Sequence, residues 1–279
     1  MKVLITGAAG RVGSAIRPHL RRDFDLRLTD LVAPAEPPGA REEFLAGDLA
    51  DPRRVRELVD GVDAVLHLAC VHGLTLTFEA SLDVNYRGTL NLLEAAAHAG
   101  VGSFVYASSH HVLGAWPRAG FGADDQVVAP DAYYGLSKAF GEAACAMFAL
   151  RHGLPTFVVR IGNADPKVGD ERSLRMWTSA RDLAALFAIG LERSEPGYEI
   201  VYGTSACPEP LFANRRALEL GYAPRDRAED NLAPGFLGRA AMGPERGPDF
   251  VGGAYAVAPL PPAAAAAATP PAAPPGGHP

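Results

Sequence analysis

Between residues 2 and 202 the chain alternates short apolar, β-branched runs with longer helical stretches, and this alternation limits its fold more than any other feature. The spacing predicts strands at 2–6, 26–30, 43–45, 63–68, 103–107, 155–160 and 198–202. It predicts helices at 12–22, 52–60, 78–99, 131–152 and 180–192. Runs such as KVLIT and DAVLHL are mostly apolar, without a strict polar/apolar alternation. That is the pattern of a parallel sheet buried beneath helices on both faces. Strand and helix alternating in this way predict an α/β fold with a doubly wound parallel sheet. Ligands then belong at the carboxyl ends of the strands.

The sequence punctuates those ends. Gly7-x-x-Gly10-x-x-Gly13 lies between the first strand and the first helix. Glycines there permit a tight turn and close backbone approach to a pyrophosphate, and the helix N-terminus offers free N–H groups. Asp30 follows 23 residues after Gly7, at the end of the second strand. A carboxylate in that place bonds the ribose hydroxyls of NAD and repels the 2′-phosphate of NADP. Arg11 and Arg27 are nearby cations that would suit NADP were Asp30 absent; with it, the expected cofactor is NAD. Asp48 reads equally as an acceptor for the adenine amino group or as a turn carboxylate. The fold expected is thus of the Rossmann type, with a small C-terminal substrate-binding part.

The strongest chemical signal is Tyr134-Gly-Leu-Ser-Lys138. Tyr and Lys four residues apart share one helix face. An adjacent ammonium favours the phenolate, which can take a substrate hydroxyl proton as a hydride leaves the same carbon. Ser109 stands at the end of the fifth strand, placed to hydrogen-bond the reacting oxygen.

These features together resemble the extended short-chain dehydrogenase/reductase family, also called the NAD-dependent epimerase/dehydratase family. The resemblance runs from Val3 to about Val257. It rests on ITGAAGRVGS (5–14), GDLAD (47–51), ASSHHVLGAWPR (107–118), YGLSKAFGE (134–142), VRIGNADP (159–166), SLRMWTSARDL (173–183), IVYGTS (200–205) and GGAYAV (252–257). Within the family the chain looks most like enzymes that oxidise the anomeric hydroxyl of a hexuronic acid to an aldarolactone, with NAD taking the hydride. The resemblance implies that Tyr134 is the base, that Lys138 lowers its pKa and holds the nicotinamide ribose, and that Ser109 orients the substrate. It implies a cofactor set of Gly7, Gly10, Arg11, Val12, Gly13, Asp30, Asp48, Leu49, Leu68, Ala69, Tyr134, Lys138 and Ile161. The implied substrate set is Ser109, His110, His111, Asn163 and Arg172. Arg172 falls where the family binds the substrate carboxylate, a role suited to a guanidinium fork; Arg175 is a rival. A homo-oligomer built through helices 78–99 and 131–152 is a further implication.

Three places depart from the family. His110 replaces an asparagine, Asn163 replaces a serine, and the segment 70–74 lacks the usual small serine and is one residue longer. The hydride-transfer set is intact while the sugar-contacting positions have changed. Adjacent His110 and His111 on an extended segment point to opposite sides. They are therefore read as a pocket donor and a packed histidine, not as metal ligands, and no metal is expected. Alternatives are another extended short-chain dehydrogenase or sugar-nucleotide epimerase with a different polar substrate, or a dinucleotide sensor without catalysis. The short stretch after Gly162 disfavours the epimerase, and the retained Ser, Tyr and Lys disfavour the sensor.

Composition closes off other classes. The net charge of -6 speaks against nucleic acid as a partner, and 48% hydrophobic residues against general disorder. No apolar run reaches membrane-spanning length. Cys70, Cys145 and Cys207 form no C-x-x-C pair, and the start of the sequence lacks a signal-peptide layout, so a cytoplasmic setting is expected. The last 21 residues hold 8 of the 24 prolines and no charge. Residues 259–279 are expected to be a disordered Pro/Ala-rich tail. Residues 1–258 are expected to be one catalytic unit, with a Rossmann core over about 1–165 and a substrate-binding part over about 166–258.

Overall fold

The structure is a computed structural model that describes residues 1–122 and 126–262. Its elements run β1 (Lys2–Thr6), α1 (Arg11–Leu20), β2 (Asp25–Thr29), β3 (Glu42–Phe44), α2 (Pro52–Val59), β4 (Ala64–His67), α3 (Phe78–Ser81), α4 (Gly88–Ala99) and β5 (Ser103–Ser109). They continue with α5 (Tyr133–His152), β6 (Thr156–Ile161), β7 (Val168–Asp170), α6 (Glu171–Leu174), α7 (Ala180–Leu191), β8 (Tyr198–Gly203), α8 (Arg215–Glu219), β9 (Leu232–Leu237) and α9 (Ala254–Val257). Seven parallel strands form one sheet in the order β3-β2-β1-β4-β5-β6-β8. The order reverses at β1/β4, so the strand ends part there and open a crevice.

Alternation along each strand supplies both faces with apolar side chains. Val3 and Ile5 pack with Ile16 and Leu20 of α1 and with Leu183, Leu186 and Phe187 of α7. Leu4, Val65 and Phe104 pack on the opposite face with Val55 and Leu58 of α2, Leu92 and Leu93 of α4, and Phe148 of α5. Each fully buried side chain of this kind contributes about 1.5–3 kcal/mol. The two apolar layers hold the strand ends, and hence the crevice, in place.

The predicted helix 78–99 is interrupted. Between α3 and α4 the chain makes a π-helical turn, Leu82–Arg87. The extra residue per turn directs Asn85 inward, where its amide accepts from Val71 N (2.8 Å) and donates to Val71 O (2.9 Å) and Ser137 Oγ (2.9 Å). One side chain thereby fixes the loop after β4 against α5. Helix α5 begins at Tyr133 rather than 131, which leaves Asp131 outside the helix and turned inward.

The seventh strand and α7 come from residues beyond 165, so the sheet draws on the stretch expected to form the substrate-binding part. The rest of that stretch builds a small two-stranded sheet of β7 and β9 and a wall over the crevice. Residues 259–262 of the expected tail are described; the remainder of it lies outside the described residues. Among the described residues no helix is long and apolar enough to cross a membrane.

Candidate active site

A cleft of about 710 Å³ runs along the carboxyl ends of β1, β2, β4, β5 and β6. Its lining includes every residue of the two site sets named from the sequence. At one end lies the glycine loop. Gly7 has φ +69°, and a Cβ on it would lie 2.7 Å from Ala69 N; one on Gly13 would lie 2.5 Å from Gly7 O. Loop, helix and neighbouring strand are thus packed so closely that only glycine fits, and the N-terminus of α1 is left facing the cleft.

Asp30 Oδ2 accepts from Ala9 N (3.0 Å) and Oδ1 from Leu31 N (2.8 Å). These bonds fix the carboxylate at the end of β2, where the residues fit a dinucleotide ribose. Arg27 is drawn away from the cleft onto Glu43 (2.7 Å) and the carbonyls of Leu58 and Asp60. Arg11 pairs with Asp165 across the cleft mouth. Asp48 accepts from Ala50 N (2.9 Å), a turn bond, while remaining on the cleft wall.

Tyr134, Lys138 and Ser109 converge at the middle of the cleft. Helix α5 is tied to the sheet by Glu142, which accepts from Ser108 Oγ (2.5 Å) and holds Arg160 through two bonds (2.9 and 2.8 Å). Lys138 Nζ donates to Ala107 O (2.7 Å) and sits 5.8 Å from the centre of the Tyr134 ring. Burial pushes the Tyr134 phenol well up, and the bond from Ser109 draws it back down. The phenol therefore holds its proton until charge nearby favours the phenolate.

The substrate end is built from Arg172, His110, His111 and Tyr255. Arg172 Nη1 donates to Val251 O (3.0 Å). A Cβ on Gly253 would lie 2.6 Å from Arg172 Nε, so glycine there makes room for the guanidinium. Arg172 makes no ion pair among the described residues. The rival Arg175 bonds Glu209 O (2.7 Å) and lies off the cleft lining.

The two histidines do not point to opposite sides. Residues 110–113 wind into a 3₁₀ turn, Ser109 Oγ accepts from His111 N, and the rings lie tilted at 35° with centres 4.1 Å apart, both on the cleft. The expected donor role of His110 is also corrected. Its Nδ1–H goes to Ile161 O (3.2 Å), and its Nε2 accepts from Arg172 Nη1 (3.5 Å). Burial pushes its pKa well down, so the ring is neutral. Asn163 spends both ends of its amide on Asp165: Nδ2 donates to Oδ2 (3.0 Å) and Oδ1 accepts from Asp165 N (3.3 Å).

Sequence reasoning missed Asp131, His72 and Tyr255. His72, at the departure after β4, puts its ring 5.8 Å from that of Tyr134. The Tyr255 ring lies against that of His111, 4.4 Å away and tilted by 50°. Asp131 stands three residues before Tyr134 and was read as helix; a carboxylate just ahead of a helix was the available signal. Among the described residues no cluster of three or more His, Cys, Asp or Glu could hold a metal.

Comparison with known proteins follows the same line. The NAD dependent epimerase/dehydratase family matches residues 3–165. A uronate dehydrogenase of Pseudomonas putida is 36% identical over 263 residues, 92% of this chain and 96% of that protein. An NAD-dependent glucose-6-phosphate dehydrogenase of Haloferax volcanii is 35% identical over 248 residues, 82% of this chain and 94% of that protein. A crystal structure of a mutant uronate dehydrogenase from Agrobacterium tumefaciens complexed with NAD superposes with a TM-score of 0.82 at 33% identity, covering 93% of this chain and 98% of the other.

Proposed function

The chain belongs to the NAD-dependent epimerase/dehydratase family, and we propose that it is an NAD-dependent oxidoreductase that oxidises the anomeric hydroxyl of a hexuronic acid to an aldarolactone. The observation that carries the substrate is Arg172, a guanidinium without an ion pair among the described residues, on the same cleft as Ser109 and Tyr134. In a buried site such a cation favours an anionic group at that end of the substrate. A planar carboxylate matches the charge and fork of one guanidinium.

The glycine loop, Asp30, Leu68, Ala69 and Ile161 would hold NAD, which when bound would supply the hydride acceptor. Ser109 O–H donates to the anomeric oxygen and holds it beside Tyr134. The Tyr134 phenolate takes the hydroxyl proton as the C1–H electron pair departs, and C1 becomes the lactone carbonyl. Lys138 places its charge over the phenol ring and favours the phenolate. A buried oxyanion without that ammonium would be costly.

The glucose-6-phosphate dehydrogenase relative supports a second reading, a phosphorylated aldose. A phosphate dianion needs more than one cation, and the other two on this cleft are committed, Arg11 to Asp165 and Lys138 to Ala107 O. A panel of galacturonate, glucuronate, neutral aldoses, sugar phosphates and sugar nucleotides, scored by NADH absorbance, tests the choice. Reduction of NAD by a uronate supports the proposal; turnover of a sugar phosphate with none of either uronate rejects it.

The same reading extends to assembly. Leu136, Met147 and Leu150 leave an apolar stripe exposed on α5, which supports a homo-oligomer formed through α4 and α5; a monomer by light scattering would reject it. Three free cysteines support a reducing, cytoplasmic setting.

A further inference from the structure

Behind the substrate cleft a carboxylate is enclosed where no solvent reaches it. The Asp131 side chain has no exposed surface, and its Oδ2 lies 2.5 Å from His111 Nδ1. Its Oδ1 is buried with no hydrogen-bond partner among the described residues. A Cβ on either Gly114 or Gly252 would run into Oδ2, so these two glycines provide the space for this carboxylate. His111 lines the cleft, with its ring 5.5 Å from Tyr134 and 4.4 Å from Tyr255. The contact occupies Nδ1 and leaves Nε2 as the ring nitrogen for substrate.

Two lone pairs 2.5 Å apart repel, so a proton lies between Oδ2 and Nδ1. When the carboxylate is ionised that proton belongs to Nδ1, and neutral His111 presents a bare Nε2. When the pair takes up one proton more, Nε2 carries a hydrogen in either arrangement. The pair thus decides whether the cleft wall accepts or donates at that point.

We propose that Asp131 is a positioning residue for the reaction: by keeping the shared proton on His111 Nδ1 it presents Nε2 to the substrate as a hydrogen-bond acceptor. The partner is a sugar hydroxyl next to the reacting carbon, since the carboxylate is taken by Arg172 and the reacting oxygen by Ser109 and Tyr134. This rests on the dehydrogenase reading above. Five further groups act on the pair: the tilted ring of His110 lies against His111, His72 and Arg172 oppose positive charge on the ring, and Tyr134 and Tyr255 lie against it. Burial pushes the Asp131 carboxyl up to about 7, and burial pushes His111 down. The bare Nε2 is therefore present above about pH 7 and lost below it.

The test is KM for a uronate between pH 6 and 9, with NAD saturating. The wild-type enzyme should show a KM that rises about tenfold on the acid side of a bend near pH 7. Asp131→Asn, which lets either ring nitrogen carry the proton, should have a KM raised about tenfold at pH 8.5, kcat changed less than threefold, and no bend. His111→Gln should show the same raised, unbent KM, and adding Asp131→Asn to it should change KM by less than twofold. A wild-type KM flat across this range overturns the inference whatever the variants do. So does a double variant in which the two effects multiply, since Asp131 would then not act through His111. Turnover with a flat KM overturns only this role; no turnover of any uronate overturns the dehydrogenase reading and this role together.

Discussion

Replacing Arg172 by methionine keeps the apolar stem of the side chain and removes its charge and planar fork. The structure divides the cost into two parts. One is general: loss of the bond to Val251 O (3.0 Å), together with the longer contact to His110 Nε2 (3.5 Å), costs about 1 kcal/mol and loosens the 251–255 segment whatever substrate is present. The other is specific: a buried carboxylate left without its guanidinium costs about 2–5 kcal/mol. At about 1.4 kcal/mol per tenfold, the specific part lowers kcat/KM by about 30-fold to several thousand-fold for a uronate. The general part lowers it by about fivefold or less for a neutral aldose. Steady-state NADH formation from galacturonate and galactose reads both, and calorimetric NAD affinity, expected to stay within about threefold, is the reference. Equal losses for the two sugars would refute carboxylate recognition by Arg172, as would an unchanged kcat/KM for the uronate.

Three other outcomes follow from the same geometry. Tyr134→Phe should bind NAD normally, while turnover drops about 10²–10⁴-fold for want of a proton acceptor; near-normal turnover contradicts the assignment. Asp30→Ala should cut the ratio of kcat/KM for NAD to that for NADP by at least tenfold, because the carboxylate that repels a 2′-phosphate is gone; an unchanged ratio refutes its role. The third concerns acid stability. His67 is buried between Thr6 Oγ1 (2.8 Å) and Thr89 Oγ1 (3.0 Å), and burial pushes it down to about 3. The unfolded chain protonates this histidine below about 6.5 while the folded chain does not, so stability falls as pH drops through the interval from 6.5 to 3. At pH 5 the loss is about 2 kcal/mol. The raised Asp131 carboxyl works in the opposite direction between about 4 and 7, and the lowered His111 beside it offsets that. Calorimetry should show a lower Tm at pH 5 than at pH 7, with the difference reduced in His67→Asn; an equal or higher Tm at pH 5 contradicts this.

Where local pattern determined structure, the sequence was legible. Strands such as KVLIT are mostly apolar without a consistently polar face, which suits a sheet covered on both sides, and the three-glycine turn has no room for side chains. Tyr134 and Lys138 share a helix face through spacing alone. What pattern could not reveal depended on partners distant in sequence. Asn85 turns inward because Val71 and Ser137 need its amide, and the helix adopts a π turn to supply it. His110 and His111 share a face because β5 ends in a 3₁₀ turn rather than continuing extended. Asp131 looked like the start of a helix because its partner, His111, lies 20 residues earlier. Asn163 was assigned to substrate by position, and only the structure reveals that Asp165 occupies its amide.

The proposed reaction is net hydride transfer from the anomeric carbon of a uronate to NAD. It is tested most directly by incubating the enzyme with NAD and a uronate deuterated at C1, then analysing both products by mass spectrometry. NADH should carry the deuterium and form in equal amount with an unlabelled aldarolactone. Unlabelled NADH, or a recovered sugar with its deuterium still at C1 and no reduced cofactor, would contradict it.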